Sequence, residues 1–155
     1  MNIISPTTSD ELWRQYLACR YENLYRPFNL PESCTTSELD SPRDRPGVLH
    51  RCVLDAAGVV AAVSRLDLQP AHALGPSAQV RYFAVNATSR GTGVGQALLT
   101  ELERLAVANG IGRVWMEARV AALNFYLRAG YMDIGEGPNK WGVIPHRVLE
   151  KRVGM

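Results

Sequence analysis

Three glycines alternate with small residues in the segment Arg90-Gly91-Thr92-Gly93-Val94-Gly95-Gln96. The segment follows a β-rich run that ends at Val85, and an amphipathic helical pattern begins at Val94. Because no Ser, Asp or Asn stands at the helix start, the first backbone N–H groups need another acceptor. A phosphate can supply it with help from the helix dipole, and glycine lets it approach closely. The pattern therefore predicts a site for a phosphate-bearing ligand, with Arg90 adding positive charge.

Three phosphate-binding motifs can be compared with this segment. A Walker A loop ends in Gly-Lys-Ser/Thr, whereas the chain continues Gly95-Gln96-Ala97. The dinucleotide fingerprint lacks its third glycine in either register. The pattern R-x-x-G-x-G is filled, by Arg90, Gly93 and Gly95. The alternative is a glycine-rich turn that binds nothing.

The rest of the chain predicts the elements that position this loop. Hydrophobic spacing indicates strands and helices in the order β-α-β-β-β-α-β-α-β-β. They are expected at 3–4, 8–25, 48–55, 59–68, 79–85, from 94 to a stop at 109–110, 113–118, 121–129, 131–134 and 146–152. Thr8 and Glu11 have the spacing of a capping box for the first helix. Prolines interrupt residues 26–47, which predicts a long loop with at most a helical turn. This order is typical of an α/β or α+β domain with a mixed sheet.

Composition excludes several classes of protein. The length of 155 residues predicts one domain over 1–155. The formal charge of +2 gives no indication of binding to nucleic acid or to an anionic membrane. Cys19, Cys34 and Cys52 are too scattered for a zinc site or a disulfide framework and fit a reducing cytosol. We find no signal-peptide pattern at the start and no apolar run of about 18 residues. A cytoplasmic globular domain is expected.

Two segments carry a resemblance to a known family. The run 90–99, RGTGVGQALL, resembles the pyrophosphate-binding motif of the GNAT superfamily of acyl-CoA-dependent N-acyltransferases. The run 122–131, ALNFYLRAGY, is similar to its second motif, A-x-x-F-Y-x-x-x-G-F/Y. Ile144-Pro145-His146 is similar to a terminal element of one bacterial branch. The resemblance covers most of the chain.

The resemblance implies a fold and a cosubstrate. It places acetyl-CoA between parallel strands at 79–85 and 113–118 that splay apart, in a mixed central sheet with helices on both faces. Backbone groups of Phe83, Ala84 and Val85 would pair with pantetheine, and the Val85 N–H would stabilise the oxyanion. The further cofactor-binding residues that it implies are Arg90, Gly91, Thr92, Gly93, Val94, Gly95, Gln96, Asn124 and Tyr126.

The resemblance also implies Tyr126 as the general acid that protonates the leaving CoA thiolate. The alternative for Tyr126 is a core aromatic, and for Asn124 a solvated helix residue. Many members carry a glutamate on the strand before the glycine loop, but this strand has no carboxylate. The candidate bases are then Glu117 or His146, each with a structural alternative, and water is a third route. The glycosylation pattern at Asn86 is interpreted as chance.

We therefore expect a cytoplasmic N-acetyltransferase that uses acetyl-CoA and no metal. Its acceptor would be a small-molecule or peptide amine attacked directly, with no nucleic-acid or membrane partner, and both a monomer and a homodimer stay open. A non-catalytic acyl-CoA-binding sensor is the second hypothesis, favoured weakly by the missing strand glutamate. A nucleotide-binding regulatory domain is the third, and the failed motif comparisons count against it.

Overall fold

The computed structural model describes residues 2–36 and 42–155. The strands are β1 (Asn2–Ile4), β2 (Val48–Leu54), β3 (Val60–Gln69), β4 (Ser77–Val85), β5 (Arg113–Arg119), β6 (Met132–Lys140) and β7 (Ile144–Arg152). The helices are α1 (Asp10–Leu24), α2 (Ser33–Thr36), α3 (Val94–Ala108) and α4 (Leu123–Arg128). Short 3₁₀ turns cover Pro6–Thr8, Arg26–Phe28, Ala87–Ser89 and Val120–Ala122. The predicted order of elements is confirmed, with α2 as the helical turn allowed in the 26–47 segment, of which residues 37–41 lie outside the described residues.

The seven strands form one mixed sheet in the order β1-β2-β3-β4-β5-β7-β6, which confirms the predicted α/β class. The chain divides into two compact units, each made of two segments. The first unit contains Met1–Asp67 and Tyr82–Leu102, and the second contains Leu68–Arg81 and Glu103–Met155. The expectation of one domain over residues 1–155 stays a prediction.

The first unit is built on antiparallel pairing of β1, β2 and β3. Ile4 pairs with Cys52, and Cys52 pairs with Val63 on the other side. Apolar side chains of α1 cover these strands, and the buried residues of this core are Tyr16, Cys19, Cys52, Val60, Val63 and Ala84. Burial of such side chains stabilises each by roughly 1.5–3 kcal/mol, so this core holds α1 beside the strands.

The second unit holds residues 77–81 of β4, which pairs in parallel with β5, and the antiparallel strands β7 and β6. The pairing of β4 with β5 runs only from Ser77↔Arg113 to Gln79↔Trp115, although both strands continue. In contrast, β5 pairs with β7 along its whole length, from Arg113↔Arg152 to Arg119↔His146. The splay that the family resemblance implies between 79–85 and 113–118 stays a prediction.

The start of α1 differs by one residue from the prediction. Ser9, not Thr8, is the N-cap, and its hydroxyl accepts a hydrogen bond from the Leu12 N–H at 3.0 Å. Thr8 ends the preceding 3₁₀ turn, where its hydroxyl donates to the Ser5 carbonyl at 3.3 Å. The predicted capping box is therefore wrong, and Glu11 contacts Arg14 and Gln15 instead.

Strand β6 is longer than predicted. The sequence Gly135-Glu136-Gly137-Pro138 has the composition of a turn, but β6 passes through it by means of two register shifts against β7. Gly137 is required there because an added Cβ would lie 3.1 Å from the His146 carbonyl oxygen. The prediction at the end of α3 is confirmed, since Gly110 has φ +75° and the Ile111 N–H closes the turn on the Ala106 carbonyl. Within residues 2–36 and 42–155, no helix is both long and apolar enough to cross a bilayer.

Candidate active site

The glycine loop of the first unit presents unpaired backbone donors at the start of α3. Gly91 and Gly93 have φ of +76° and +86°, a backbone conformation that side chains with a Cβ adopt at a cost. An added Cβ at either residue would meet no atom within 4 Å. The first bond of the helix runs from the Ala97 N–H to the Gly93 carbonyl at 3.0 Å, so the N–H groups of Val94, Gly95 and Gln96 have no acceptor in the described part of the chain. This open, electropositive cradle fits an anionic group such as a pyrophosphate.

A network of amide side chains positions Arg90 beside this loop. The Asn86 amide nitrogen donates to the Val60 carbonyl at 2.9 Å, and its oxygen accepts from Asn23 at 2.9 Å. The Asn23 oxygen in turn accepts from the Arg90 guanidinium at 3.2 Å, while Arg90 Nε donates to the Val85 carbonyl at 3.3 Å. Sequence reasoning missed Asn23, because its partners lie far away along the chain. The amide of Asn86 is engaged in the fold, which is consistent with a chance glycosylation pattern.

Strand β4 is distorted at Tyr82, just before the predicted pantetheine-pairing residues. Tyr82 has φ +55°, which costs a non-glycine residue about 1–3 kcal/mol. The guanidinium carbons of Arg20 and Arg65 lie 4.3 and 5.0 Å from the centre of its ring. Arg65 also forms a bidentate ion pair with Asp67, at 2.8 and 3.0 Å. These cation–π contacts stabilise the ring of Tyr82 in a conformation that the backbone alone disfavours.

At the end of β4, the hydrogen bonds of Asn86 indicate which way the backbone N–H of Val85 points. The Asn86 N–H donates to the Ala61 carbonyl of β3 at 2.9 Å. Because successive residues of an extended strand direct their backbone groups to alternate edges, the N–H of Val85 faces away from β3. The Val85 carbonyl accepts from Arg90, which agrees with that direction. Val85 therefore presents its N–H away from the antiparallel strands, as an oxyanion donor requires; that role stays a prediction.

In the second unit, α4 buries Tyr126 and exposes Asn124. Tyr126 is 5% exposed, and its ring makes edge contacts with Phe125 and Tyr131 at centroid distances of 5.0 and 6.1 Å. Burial raises the pKa of the Tyr126 hydroxyl, against a smaller lowering by the charge of Arg119. The phenol thus keeps its proton at neutral pH and can donate it. Both the acid role and the core-aromatic alternative are compatible with this burial.

The two candidate bases of the second unit have different surroundings. Glu117 of β5 is partly exposed and pairs in register with Val148, on the opposite face of the strand from the buried Met116. His146 is 5% exposed, and its Nδ1 lies 2.7 Å from the Ile144 carbonyl. Burial lowers the pKa of His146, and the charges of Lys140 and Arg119 lower it further, against the raising effect of the bond to Ile144. A second backbone hydrogen bond, to Pro138, also raises the pKa of His146, so two backbone carbonyls engage its ring.

Metal-ligating and thiol side chains are further candidates for reactive groups among residues 2–36 and 42–155. No three His, Cys, Asp or Glu side chains in this range are placed to hold a metal ion. Cys19 and Cys52 are buried, and burial raises their pKa to about 12 and about 11, so neither is a thiolate at neutral pH.

Comparison with known proteins decides the family. The model of the acetyltransferase (GNAT) family matches residues 10–131, which is most of the chain. The chain belongs to the GNAT acetyltransferase family. The expected family is thereby confirmed, and the matched range includes the glycine loop and α4.

Solved structures agree with this GNAT fold at low sequence identity. An aminoglycoside 6'-N-acetyltransferase complexed with coenzyme A has a TM-score of 0.80 and 16% identity, over 100% of this chain and 98% of that one. The aminoglycoside 6'-N-acetyltransferase of Enterococcus faecium has a TM-score of 0.78 and 14% identity, over 100% and 98%. An acyl-CoA N-acyltransferase from Pseudomonas aeruginosa has a TM-score of 0.73 and 18% identity, over 97% of each chain. At these identities the likeness shows the shared fold.

Proposed function

We propose that this GNAT family member is an N-acetyltransferase that transfers the acetyl group of acetyl-CoA to an amine. The observation that carries the proposal is the start of α3, where three backbone N–H groups lack an acceptor within the described chain and Gly93 leaves open space. Coenzyme A is the ligand of the structural relative with a TM-score of 0.80. In this chain the loop 90–96 would hold its pyrophosphate, with Arg90 adding positive charge.

Acetyl-CoA would supply an activated thioester carbonyl. Side chains and backbone groups of this chain would stabilise the charge and transfer the protons. An amine that attacks this carbonyl directly generates negative charge on the carbonyl oxygen. The Val85 N–H would stabilise that charge, and a preorganised donor of this kind typically contributes about 3–4 kcal/mol to the transition state. Phe83 and Ala84 would align the pantetheine arm through their backbone groups, and Asn124 would hydrogen-bond it.

Tyr126 would protonate the departing thiolate. Its phenol is protonated at neutral pH, and burial makes it a weaker acid than an exposed tyrosine. Its ring makes edge contacts with Phe125 and Tyr131. This role follows from the match of α4 to the second family motif.

The proton of the amine requires an acceptor, and Glu117 is better placed than His146. The His146 ring is buried and hydrogen-bonded to a backbone carbonyl. The Glu117 side chain is partly exposed, and its charge raises the pKa of Lys140. We expect the acid limb of the pH profile of kcat/KM to disappear in Glu117→Gln. With His146 as base, the limb would lie below pH 6.5, because the pKa of His146 is lowered, and would disappear in His146→Gln instead.

A limb that persists in both variants would contradict both assignments and leave water, or an amine that binds neutral, as the route. The measurement is initial-rate thiol release at saturating acetyl-CoA between pH 5 and 9 with one acceptor. The amine's own pKa is determined separately so that its limb can be distinguished. His146→Gln serves as the control for Glu117→Gln, since both remove one titratable group of the second unit.

The proposal itself is tested by binding and turnover together. In isothermal titration we expect acetyl-CoA to bind, and ATP and NAD to bind at least about 100-fold more weakly, since neither carries the pantetheine arm. Thiol release with a panel of amines is then expected above the rate of hydrolysis without amine. Acetyl-CoA binding without thiol release for any amine would favour the non-catalytic sensor. Tight ATP or NAD binding without acetyl-CoA binding would favour the nucleotide-binding regulatory domain.

A further inference from the structure

One face of the strands in the second unit is polar and partly exposed. Along β5, Val114, Met116 and Ala118 are buried, while the alternating residues Trp115, Glu117 and Arg119 lie partly exposed on the other face. The side chain of Gln69 fixes which residues of β4 share that face, since it accepts from Trp115 Nε1 at 2.8 Å and donates to Gln79 at 3.1 Å. By alternation from Gln79, Arg81 lies on the same face before the strand is distorted.

Three cations and one carboxylate meet on this face. Arg81 comes from β4, Glu117 and Arg119 come from β5, and Lys140 comes from the end of β6. In register, Arg119 pairs with His146 of β7, and Lys140 pairs with Ile144 two residues before it. Burial lowers the pKa of Lys140. The charge of Glu117 raises this pKa and the charges of Arg81 and Arg119 lower it, so all three groups act electrostatically on Lys140. We call these four residues the cationic cluster.

The position of the cationic cluster relates it to the candidate base. Parallel pairing of β4 with β5 ends at Gln79↔Trp115, and Arg81, Glu117 and Arg119 all follow that point along their strands. At the other end of the same strands, Arg113 Nε lies 3.0 Å from the Glu150 carboxylate. The end of the face that carries Glu117 therefore also carries the three cationic side chains of Arg81, Arg119 and Lys140.

We infer that the amine acceptor carries an anionic group, a carboxylate or phosphate, which Arg81, Arg119 and Lys140 bind while Glu117 faces the amine. The inference rests on the proposed function, and it names the substrate class of that same site. Guanidinium and ammonium groups form charge-assisted hydrogen bonds with carboxylate and phosphate oxygens. One carboxylate among three cations matches an acceptor with one ammonium and one anion. It does not match a polycation, in which several ammonium groups would meet like charge.

Matched pairs of acceptors test this inference by thiol release. The pairs are L-amino acids with their carboxamides, and phosphoethanolamine with ethanolamine, together with an aminoglycoside such as kanamycin. We expect the preferred acceptor to be the anionic member of a pair, with kcat/KM about 10- to 100-fold above that of its uncharged partner. In Lys140→Met the preference is expected to fall about 10-fold, and Lys140→Arg should restore most of it. An equal or higher kcat/KM for the uncharged partner of every pair, or for the aminoglycoside, overturns the inference.

Two controls locate the effect. Arg152→Gln removes a cation from the far end of β7, where Arg152 pairs with Arg113, and is expected to leave the preference unchanged. Acetyl-CoA and 3'-dephospho-acetyl-CoA are compared in the wild type and in Lys140→Met. If Lys140→Met raises only the KM for acetyl-CoA, the cationic cluster binds a phosphate of the cosubstrate and the inference is wrong.

A binding measurement separates this inference from the proposed function. The same acceptor pairs are titrated into the protein saturated with CoA. Preferential binding of the anionic members, lost in Lys140→Met, supports the inference even where no acceptor is acetylated, an outcome that would contradict only the transferase activity. Turnover without preference for the anionic members would contradict the inference and leave the transferase activity intact.

Discussion

Replacing Gly93 by valine is expected to abolish acetyl-CoA binding while leaving the chain folded. Gly93 is exposed, and an added Cβ would meet no atom of the protein within 4 Å. A valine side chain would instead occupy the space above the free N–H groups of α3, where we place the pyrophosphate. Loss of several charge-assisted hydrogen bonds, each worth about 1.5–3 kcal/mol, corresponds to at least about 100-fold weaker binding in isothermal titration.

The chain offers a matched control for this substitution. Gly58, in the hairpin between β2 and β3, has φ +78°, close to the +86° of Gly93, and it too has no atom within 4 Å of an added Cβ. Gly58→Val should therefore lose a similar stability, roughly 1–2 kcal/mol, from the strained backbone alone. We expect urea denaturation to show similar losses for both variants, and acetyl-CoA binding to be lost only in Gly93→Val.

Unchanged acetyl-CoA affinity in a folded Gly93→Val protein would refute the assignment of the loop. Gly95→Val is expected to abolish binding as well. Gly95, however, is buried in the first turn of α3, so its valine must also fit against neighbouring protein atoms. The exposed position of Gly93 makes it the sharper test of space for a ligand.

Replacing Tyr126 by phenylalanine is expected to lower turnover by about 100-fold or more, the usual range for loss of a general acid. The substitution removes one oxygen and keeps the packing volume, so the stability should change by less than about 1.5 kcal/mol. Affinity for acetyl-CoA is expected to stay nearly the same. Thiol release in a single turnover is the appropriate measurement, because product release can mask a slower chemical step in steady state.

Tyr131→Phe provides the matched control for this prediction. Tyr131 lies 6.1 Å from Tyr126 between ring centres and loses the same single oxygen on substitution. Its hydroxyl donates to Glu103 at 2.9 Å, so the variant should lose about 1 kcal/mol of stability and little turnover. Equal turnover in Tyr126→Phe and the wild type would leave Tyr126 as a core aromatic and contradict its acid role.

Features that depend on neighbouring residues could be predicted from the amino-acid sequence. The change from strand-like to helical spacing after Val85, the glycines of the loop and the stop at Gly110 are all local patterns, and the structure contains each of them. Left-handed backbone at Gly91 and Gly93 follows from the absence of a Cβ, which needs no tertiary contact. The order of the elements and the membership of the family followed from the same local information.

Tertiary structure decided the features that depend on pairing between distant segments. The extent of β6 is set by its register with β7, which accommodates Gly137 where local composition indicated a turn. Likewise, Ser9 takes the cap of α1 because the preceding 3₁₀ turn already engages Thr8. Local propensity is a weak guide at such positions, since a hydrogen bond or close approach contributed by another segment outweighs it.

The charges at the candidate site also depend on pairing between distant segments. Arg81, Glu117 and Lys140 lie on three different strands, and nothing in their sequence spacing brings them together. The burial of His146, which lowers its pKa and so makes it a weaker base, also cannot be read from the sequence. Local backbone and motif chemistry thus predicted the glycine loop, whereas the electrostatic field of these charges depends on strand register, because charges interact through space and not along the sequence.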